Sequence, residues 1–379
     1  MSNPDLFMGI MSGTSLDGID VVIARFDSSV ECIAHESFDF DPEVRYLLYQ
    51  LATASQVGMD IVVRSHFLLA EIYSNAIKKT LEKHSLDSSQ INAIGLHGQT
   101  IRHLPVKERT TPTTEPIRAT FQLGSGAAMA ALSGIDVVSD FRSADVAIGG
   151  QGAPLVPMFD AVFLRSAEVT RVALNIGGIA NITIIPPISS ADAIIAYDTG
   201  PGNMIMDGLS QKYFSKPFDA DGSIASRGRV NEALLAALQS HAYFKMPPPK
   251  STGRELFGDE FTAIFYEAVD SRSLSPEDAI RTATELTARS IANELVGLRA
   301  EIIVNGGGAK NAFLMQRLKE LLPSSAIVPS DAFGIPSQAK EALAFAYFAK
   351  AFLNDEKIHL PSTTGASRQL ILGSLSKGK

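Results

Sequence analysis

Two aspartates set in glycine-rich turns are the side chains best placed to do chemistry. Asp17 lies in GIMSGTSLDGID, residues 9–20, just after Ser12, Gly13, Thr14 and Ser15. The hydroxyl and amide groups of such a turn can wrap phosphate oxygens while a nearby carboxylate holds a hydrated divalent cation. Asp198 lies in YDTGPGN, residues 197–203, where an apolar run ends and Gly200, Gly202 and Asn203 follow. A carboxylate at a strand end, beside a turn that opens a helix, is well placed as a general base. Read alone, the first turn is also a plain hairpin and the second an Asx turn or helix cap. Both carboxylates near a triphosphate would repel it, so phosphoryl transfer by this pair requires Mg²⁺. A third run, EIIVNGGGAKN at 301–311, sets Gly306, Gly307 and Gly308 after a strand and before a helix. A nucleotide base or ribose can lie flat against such backbone, although neither the Walker A pattern nor the dinucleotide fingerprint is met. Lys310 reads either as a phosphate contact or as a solvated lysine.

Three weaker clusters accompany these. GLHGQTIRH, residues 95–103, carries His97, Gln99 and Arg102 after a strand, a set suited to sugar hydroxyls or carboxylates. SDFRSADVAIGGQGAPL, residues 139–155, holds Asp140, Arg142 and Asp145; Arg142 can clamp a carboxylate or pair with its neighbours. KSTGRE, residues 250–255, offers Lys250 and Arg254 as a loop cap or a nucleotide contact. The seven histidines show no zinc-ligand spacing.

The elements that must position these groups can be read from periodicity. Residues 6–11 and 18–26 are apolar and bracket the first turn as a strand and its antiparallel return. Helical spacing predicts helices at 42–54 and 59–83, the latter with Val63, Phe67, Ala70, Ile77 and Leu81 on one face. Short strands are expected at 91–97, 118–123 and 135–139. The second half repeats the theme, with strands at 171–176, 179–185 and 193–198 and then helices at 203–213, 229–240, 259–269 and 275–298. A strand at 301–304, a helix to about 321, a strand at 325–328 and an apolar helix at 339–353 follow. Strands, then helices, then βα units in two related halves indicate an α/β protein.

Composition narrows the functional classes. The chain has 379 residues with 41 acidic and 33 basic side chains, a formal net charge of −8, and one cysteine. Length suggests about two domains. The acidic balance argues against nonspecific binding to nucleic acid or anionic membrane. Cys32 alone cannot build a disulfide framework or a cysteine-cluster metal site. No signal-like N-terminus and no long apolar run are found, so a cytoplasmic protein is expected. More than half of the 29 glycines fall in seven short windows, 9–18, 95–98, 124–126, 149–152, 177–178, 200–202 and 306–308. They sit mostly at the ends of strand-like runs, where a backbone turns sharply or approaches a ligand.

The ordered set GIMSGTSLDGID, GLHGQTIRH, DFRSADVAIGGQGAPLVP, LNIGGIANIT, YDTGPGNMIMD, PKSTGRELFG, NGGGAKN and GIPSQAKEALAFA resembles the anhydro-N-acetylmuramic acid kinase family from about residue 7 to 374. That family belongs to the sugar kinase, Hsp70 and actin superfamily. The resemblance implies two ribonuclease-H-like domains, an actin-like ATPase fold with an ATP cleft, here expected as 1–140 plus 355–379 and 141–354. It implies ATP-dependent conversion of 1,6-anhydro-N-acetylmuramate and water to N-acetylmuramate 6-phosphate, in peptidoglycan recycling. Ser12, Gly13, Thr14, Ser15, Leu16, Asp17, Gly18 and Ile19 match the first phosphate loop, with Asp17 a candidate Mg²⁺ ligand. Gly200, Gly202 and Asn203 match the second phosphate loop, and Gly306, Gly307 and Gly308 the adenosine loop. Asp198 matches the family's aspartate base and Glu341 a sugar-site glutamate, while His97, Gln99 and Arg142 complete the expected sugar set. A homodimer is implied as well. The chain departs from the pattern in lacking any Trp after the Asp198 loop and in carrying Ser337 after Pro336. Two other readings are a kinase for a different amino sugar, and an ATP-gated binding protein of the actin or Hsp70 kind.

Overall fold

The computed structural model of the protein describes residues 5–248 and 250–378, without the side chains of residues 254, 255 and 259. Pro249 and the Arg254 side chain, both within motifs named above, therefore lie outside the described residues. The chain forms two compact units, residues 1–163 with 333–379, and residues 164–332.

The first unit is built on strands β1 (Leu6–Ser12), β2 (Gly18–Phe26), β3 (Val30–Asp39), β4 (Ile91–Glu108), β5 (Ile117–Leu123) and β6 (Val137–Ser139). The second carries β7 (Arg171–Ile176), β8 (Ile179–Ile185), β9 (Ile195–Pro201), β10 (Glu301–Asn305) and β11 (Ala326–Pro329). β12 (Ser374–Ser376) returns to the first sheet and pairs antiparallel with β6. In the first sheet β1, β2 and β3 form an antiparallel meander, β4 runs parallel to β1, and β6 parallel to β4. In the second, β7, β8 and β9 form the meander, with β10 parallel to β7 and β11 parallel to β10. Both units thus share one strand order and one set of directions, the ribonuclease-H-like arrangement, and the fold is α/β as expected. β5 is an addition, a hairpin partner of the long β4.

Sequence explains these elements locally. β1 is buried along nearly its whole length, as befits a strand covered on both faces. β5 alternates between exposed and half-buried residues, as a strand with one face toward water does. Some helices begin at side-chain caps: Asp41 accepts from the Glu43 amide, Ser275 from Asp278 and Asn311 from Leu314. The helix Met59–Lys83 buries Leu69, Ala70, Tyr73, Ala76, Ile77 and Leu81, but Val63 and Phe67, expected on the same face, are exposed. Both lie in its first turns, where Val63 borders a groove with Val57, Met59 and Phe121.

The apolar helix Lys340–Leu353 packs on β1, β2 and β4. Gly9 of β1 and Gly95 of β4 are paired in register, and both stand beneath it. A Cβ on Gly9 would lie 1.8 Å from the Ala342 carbonyl oxygen, and one on Gly95 the same distance from that of Phe345. These two glycines, read above as parts of ligand-binding windows, let helix backbone lie directly on sheet. The same packing keeps the helix in the first unit. The expected boundaries at 140 and 354 therefore differ from the compact units, whose limits fall at 163 and 333.

Candidate functional site

In the first unit the turn after β1 divides sharply by exposure. Ser12, Leu16 and Ile19 are buried, and the Ser12 hydroxyl shares a 2.7 Å hydrogen bond with the Tyr73 hydroxyl. Leu16 adopts a left-handed φ of 59°, with its amide donating to the Gly13 carbonyl at 3.2 Å. Gly18 already belongs to β2 and pairs with Asp39, and a Cβ there would strike the Phe38 carbonyl at 2.3 Å. Of the eight residues 12–19, the part open to a ligand is Gly13, Thr14, Ser15 and Asp17. The Asp17 carboxylate is exposed and accepts from Arg45 at 2.9 Å, a surface ion pair that solvent and salt weaken. A hard cation such as Mg²⁺ takes one or two carboxylates and completes its shell with water and phosphate oxygens. Asp17 fits that donor set. Among the described residues no group of three or more His, Cys, Asp or Glu side chains forms a metal cluster.

Beside this turn the expected sugar residues converge. Gln99 is fully buried; its amide nitrogen donates to the Gly13 carbonyl at 3.1 Å, while its Oε1 has no hydrogen-bond partner. Arg142 donates to His97 Nε2 at 2.7 Å and to the Gly152 carbonyl at 2.5 Å, and its Nε is buried without a partner. Buried polar atoms left without partners are costly, which makes these two candidates for contact with a ligand. Burial and the Arg142 charge push the His97 imidazole down to about 3, with backbone at Gly98 and Ser12 acting the other way. His97 is therefore neutral near pH 7, and its ring packs on Phe345 at 4.8 Å. Burial also lowers Arg142 to about 10, against the pull of Glu341 and Asp145. Glu341 stands in the first turn of the helix Lys340–Leu353, exposed at its side chain. Among its charged neighbours Arg142 and Lys340 favour the ionised carboxylate and Asp20 disfavours it.

Asp145 supports this arrangement from behind. It is fully buried and accepts from Thr364 and the Gly152 amide, each at 2.6 Å, and pairs with His359 Nε2 at 2.6 Å. Gly152 thereby donates its amide to Asp145 while its carbonyl accepts from Arg142. Arg102 plays no such part: its guanidinium donates to Leu51, Ala52 and Ala54 carbonyls at the end of the helix Pro42–Thr53.

In the second unit Asp198 sits near the end of β9, paired with Asn181 of β8. Its Oδ2 accepts from the Thr252 amide at 2.8 Å and the Ser251 hydroxyl at 3.0 Å. Its backbone is also held, the amide donating to the Lys250 carbonyl at 3.1 Å and the carbonyl accepting from the Tyr243 hydroxyl at 2.7 Å. The KSTG segment is thus wrapped around Asp198. Lys250 is buried and ion-paired with Glu294 at 2.6 Å, not available as the nucleotide contact considered from sequence.

The amides of Gly202 and Asn203 are turned onto the β7–β8 hairpin, donating to the carbonyls of Gly178 and Gly177 at 2.8 Å each. A Cβ on Gly202 would lie 2.2 Å from the Gly177 carbonyl. The Asn203 side chain donates to Ile176 at 3.2 Å. These residues shape the turn that opens the helix Met204–Phe214. Gly306 and Gly308 pack as tightly against Asn175 and Ile176, whereas Gly307 is exposed, its nearest neighbour being Asn203 Nδ2 at 3.4 Å from a built Cβ. Lys310 is exposed. Asn175, whose Oδ1 accepts from Asn305 at 2.9 Å, and the pair Ser251 and Thr252 were not singled out from sequence. The STG of KSTGRE was the available signal.

The sequence profile described as Anhydro-N-acetylmuramic acid kinase matches residues 5–378. A curated protein of that name from Salinibacter ruber is 40% identical over 382 residues, covering 97% of this chain and 95% of its own. Another from Shewanella amazonensis is 41% identical over 374 residues, covering 97% and 98%. Among solved structures, the activator of a 2-hydroxyisocaproyl-CoA dehydratase from Clostridium difficile aligns with a TM-score of 0.46 at 12% identity, covering 92% of this chain and 96% of its own.

Proposed function

The chain belongs to the anhydro-N-acetylmuramic acid kinase family, and from that premise we propose how its own residues carry the reaction. The enzyme is an ATP-dependent kinase of 1,6-anhydro-N-acetylmuramate and acts in cell-wall recycling. In the anhydro sugar O6 is bonded to C1 and carries no proton. Asp198 takes a proton from water, whose oxygen attacks C1. The C1–O6 bond breaks, O6 takes the γ-phosphoryl group, and ADP leaves. One observation carries this reading: the Asp198 carboxylate is fixed through Oδ2 by Ser251 and Thr252, so its orientation is set before a substrate arrives.

The other roles follow the donor chemistry on each unit. Gln99 and Arg142 each have a buried polar atom for sugar oxygens, and neutral His97 and Glu341 stand with them. Gly13, Thr14 and Ser15 offer amides and hydroxyls to phosphate, and Gly307 an open face to the nucleotide. Gly202, Asn203, Gly306 and Gly308 hold those loops in shape. Asp17 would hold Mg²⁺, which neutralises phosphate charge during transfer. No helix among the described residues is long and apolar enough to cross a membrane. A homodimer working in the cytoplasm is part of the same proposal and rests on the family likeness; light scattering tests the dimer.

The test is turnover with Mg·ATP and the anhydro sugar in ¹⁸O-water, with mass spectrometry of the product. Label at C1 together with a 6-phosphate is expected. A phosphorylated sugar without label would mean an ordinary hydroxyl kinase, and no turnover with any amino sugar would favour a binding protein. Asp198→Asn should keep nucleotide binding and lose turnover.

A further inference from the structure

Behind Asp198 lies a charged cluster that the reaction does not touch. The Lys250 side chain is entirely buried, its Nζ 2.6 Å from Glu294 Oε1 and 5.1 Å from the centre of the Tyr243 ring. Glu294 also interacts with Tyr197, the residue before Asp198. Burying a lysine is expensive, and a well-packed apolar residue would serve stability as well or better. Its placement points to another use. Lys250 is followed directly by Ser251 and Thr252, the two residues that grip Asp198 Oδ2. Its own carbonyl accepts from the Asp198 amide, and the hydroxyl of Tyr243, whose ring lies under its ammonium group, donates to the Asp198 carbonyl.

We infer that Lys250 is a positioning residue: its ion pair with Glu294 anchors the 250–252 segment so that Ser251 and Thr252 set the Asp198 carboxylate. The inference rests on Asp198 being the base. The segment itself belongs to no helix or strand. With the pair in place, two donors stay on one carboxylate oxygen; without it, the segment shifts and the carboxylate loses both its donors and its aim. Among the described side chains, the ionisable groups around Lys250 include Glu294, Tyr243 and Tyr197. Burial holds both tyrosines protonated, so Tyr243 remains a donor.

Two variants test this in the full-length enzyme. Ser251→Ala removes one donor directly. Lys250→Met combined with Glu294→Gln removes the ion pair without leaving a lone buried charge. The first readout is the ¹³C titration of the Asp198 carboxyl, assigned by its absence in Asp198→Asn, and the second is kcat and KM against pH. Fewer hydrogen bonds to the charged form should move the titration and the acid limb of kcat upward by about one pH unit in both variants. In the double variant kcat should fall on the order of 10-fold or more, with sugar KM little changed. A folded double variant with an unmoved Asp198 titration overturns the inference. If instead Asp198→Asn keeps its turnover, the base assignment fails while the titration still decides whether Lys250 sets the carboxylate.

Discussion

Arg142 donates to Nε2 of His97 across 2.7 Å, so a permanent cation and a buried imidazole share one hydrogen bond. The imidazole can join it only when neutral at Nε2. A proton on His97 is resisted down to about pH 3, compared with an ordinary value of 6.5.

Acid stability should register this pair. The unfolded chain takes up a proton on His97 below 6.5 and the folded chain does not until about 3. Its stabilising contribution is thus complete above 6.5 and is lost as pH falls through that window, by about 1.4 kcal/mol per pH unit. Urea unfolding at several pH values should show His97→Gln with a flatter profile between 6.5 and 4 than the parent. Parallel profiles would show that His97 is not held neutral.

Asp207 should behave in the opposite sense. It lies in the first turn of the helix Met204–Phe214, and burial together with Asp219 raises its carboxyl to about 6. The folded chain holds that proton between 3.8 and 6 when the unfolded chain has released it, so stability falls across this window. Above 6 the full cost of the charged form remains. Asp207→Asn should stabilise the protein by about 1–2 kcal/mol at pH 8, discounted for partial exposure, and not at pH 3. Thermal unfolding at the two pH values gives the comparison.

Gly95→Ala should damage folding rather than binding. The added methyl meets the Phe345 carbonyl at 1.8 Å, and neither strand nor helix backbone can move aside cheaply. A loss of about 3 kcal/mol or more in chemical denaturation is expected, the upper end for an overpacked core. An alanine tolerated there would mean that the helix is not seated on the glycine pair.

Gly307→Ala and Gly13→Ala should do the reverse. A built Cβ finds nothing nearer than 3.4 Å at Gly307 or 3.6 Å at Gly13, so stability should change by less than about 0.5 kcal/mol. Each methyl would nonetheless enter the space assigned to nucleotide. KM for ATP should rise about tenfold, with sugar KM unaffected. Unchanged ATP kinetics in both would remove these loops from the nucleotide site.

Much of this arrangement was legible in the sequence because it follows from local patterns. The Asp198 turn ends a strand and opens a helix as its glycines suggested, and NGGGAKN falls between β10 and a helix as periodicity required. What escaped was decided across long sequence distances. Nothing near residue 340 states that its helix must lie on strands from residues 6 and 91, so the unit boundary was expected elsewhere. Glycine in a window likewise has two uses that look alike in one dimension. Gly9 and Gly95 admit a helix, Gly13 and Gly307 face open space, and only the atoms opposite each Cα separate them. Lys250 was misleading for a related reason: its ion-pair partner Glu294 is 44 positions away, inside a helix whose pattern gives no sign of it.

The glycine pair under the helix Lys340–Leu353 also imposes an order on biosynthesis. The second unit is one uninterrupted stretch, 164–332, and has all of its strands once that stretch has left the ribosome. The first unit has its β1 turn within the first twenty residues, yet the helix that covers β1 and β4 arrives more than three hundred residues later. Until then the sheet face that carries Phe7, Val22 and Ala93, on the same side as Gly9 and Gly95, waits for its cover. Contacts of such sequence separation form late and leave strands open to wrong partners meanwhile. Strands made early are therefore finished late, and truncations that remove residues 340–353 should harm the β1 turn more than three hundred positions away.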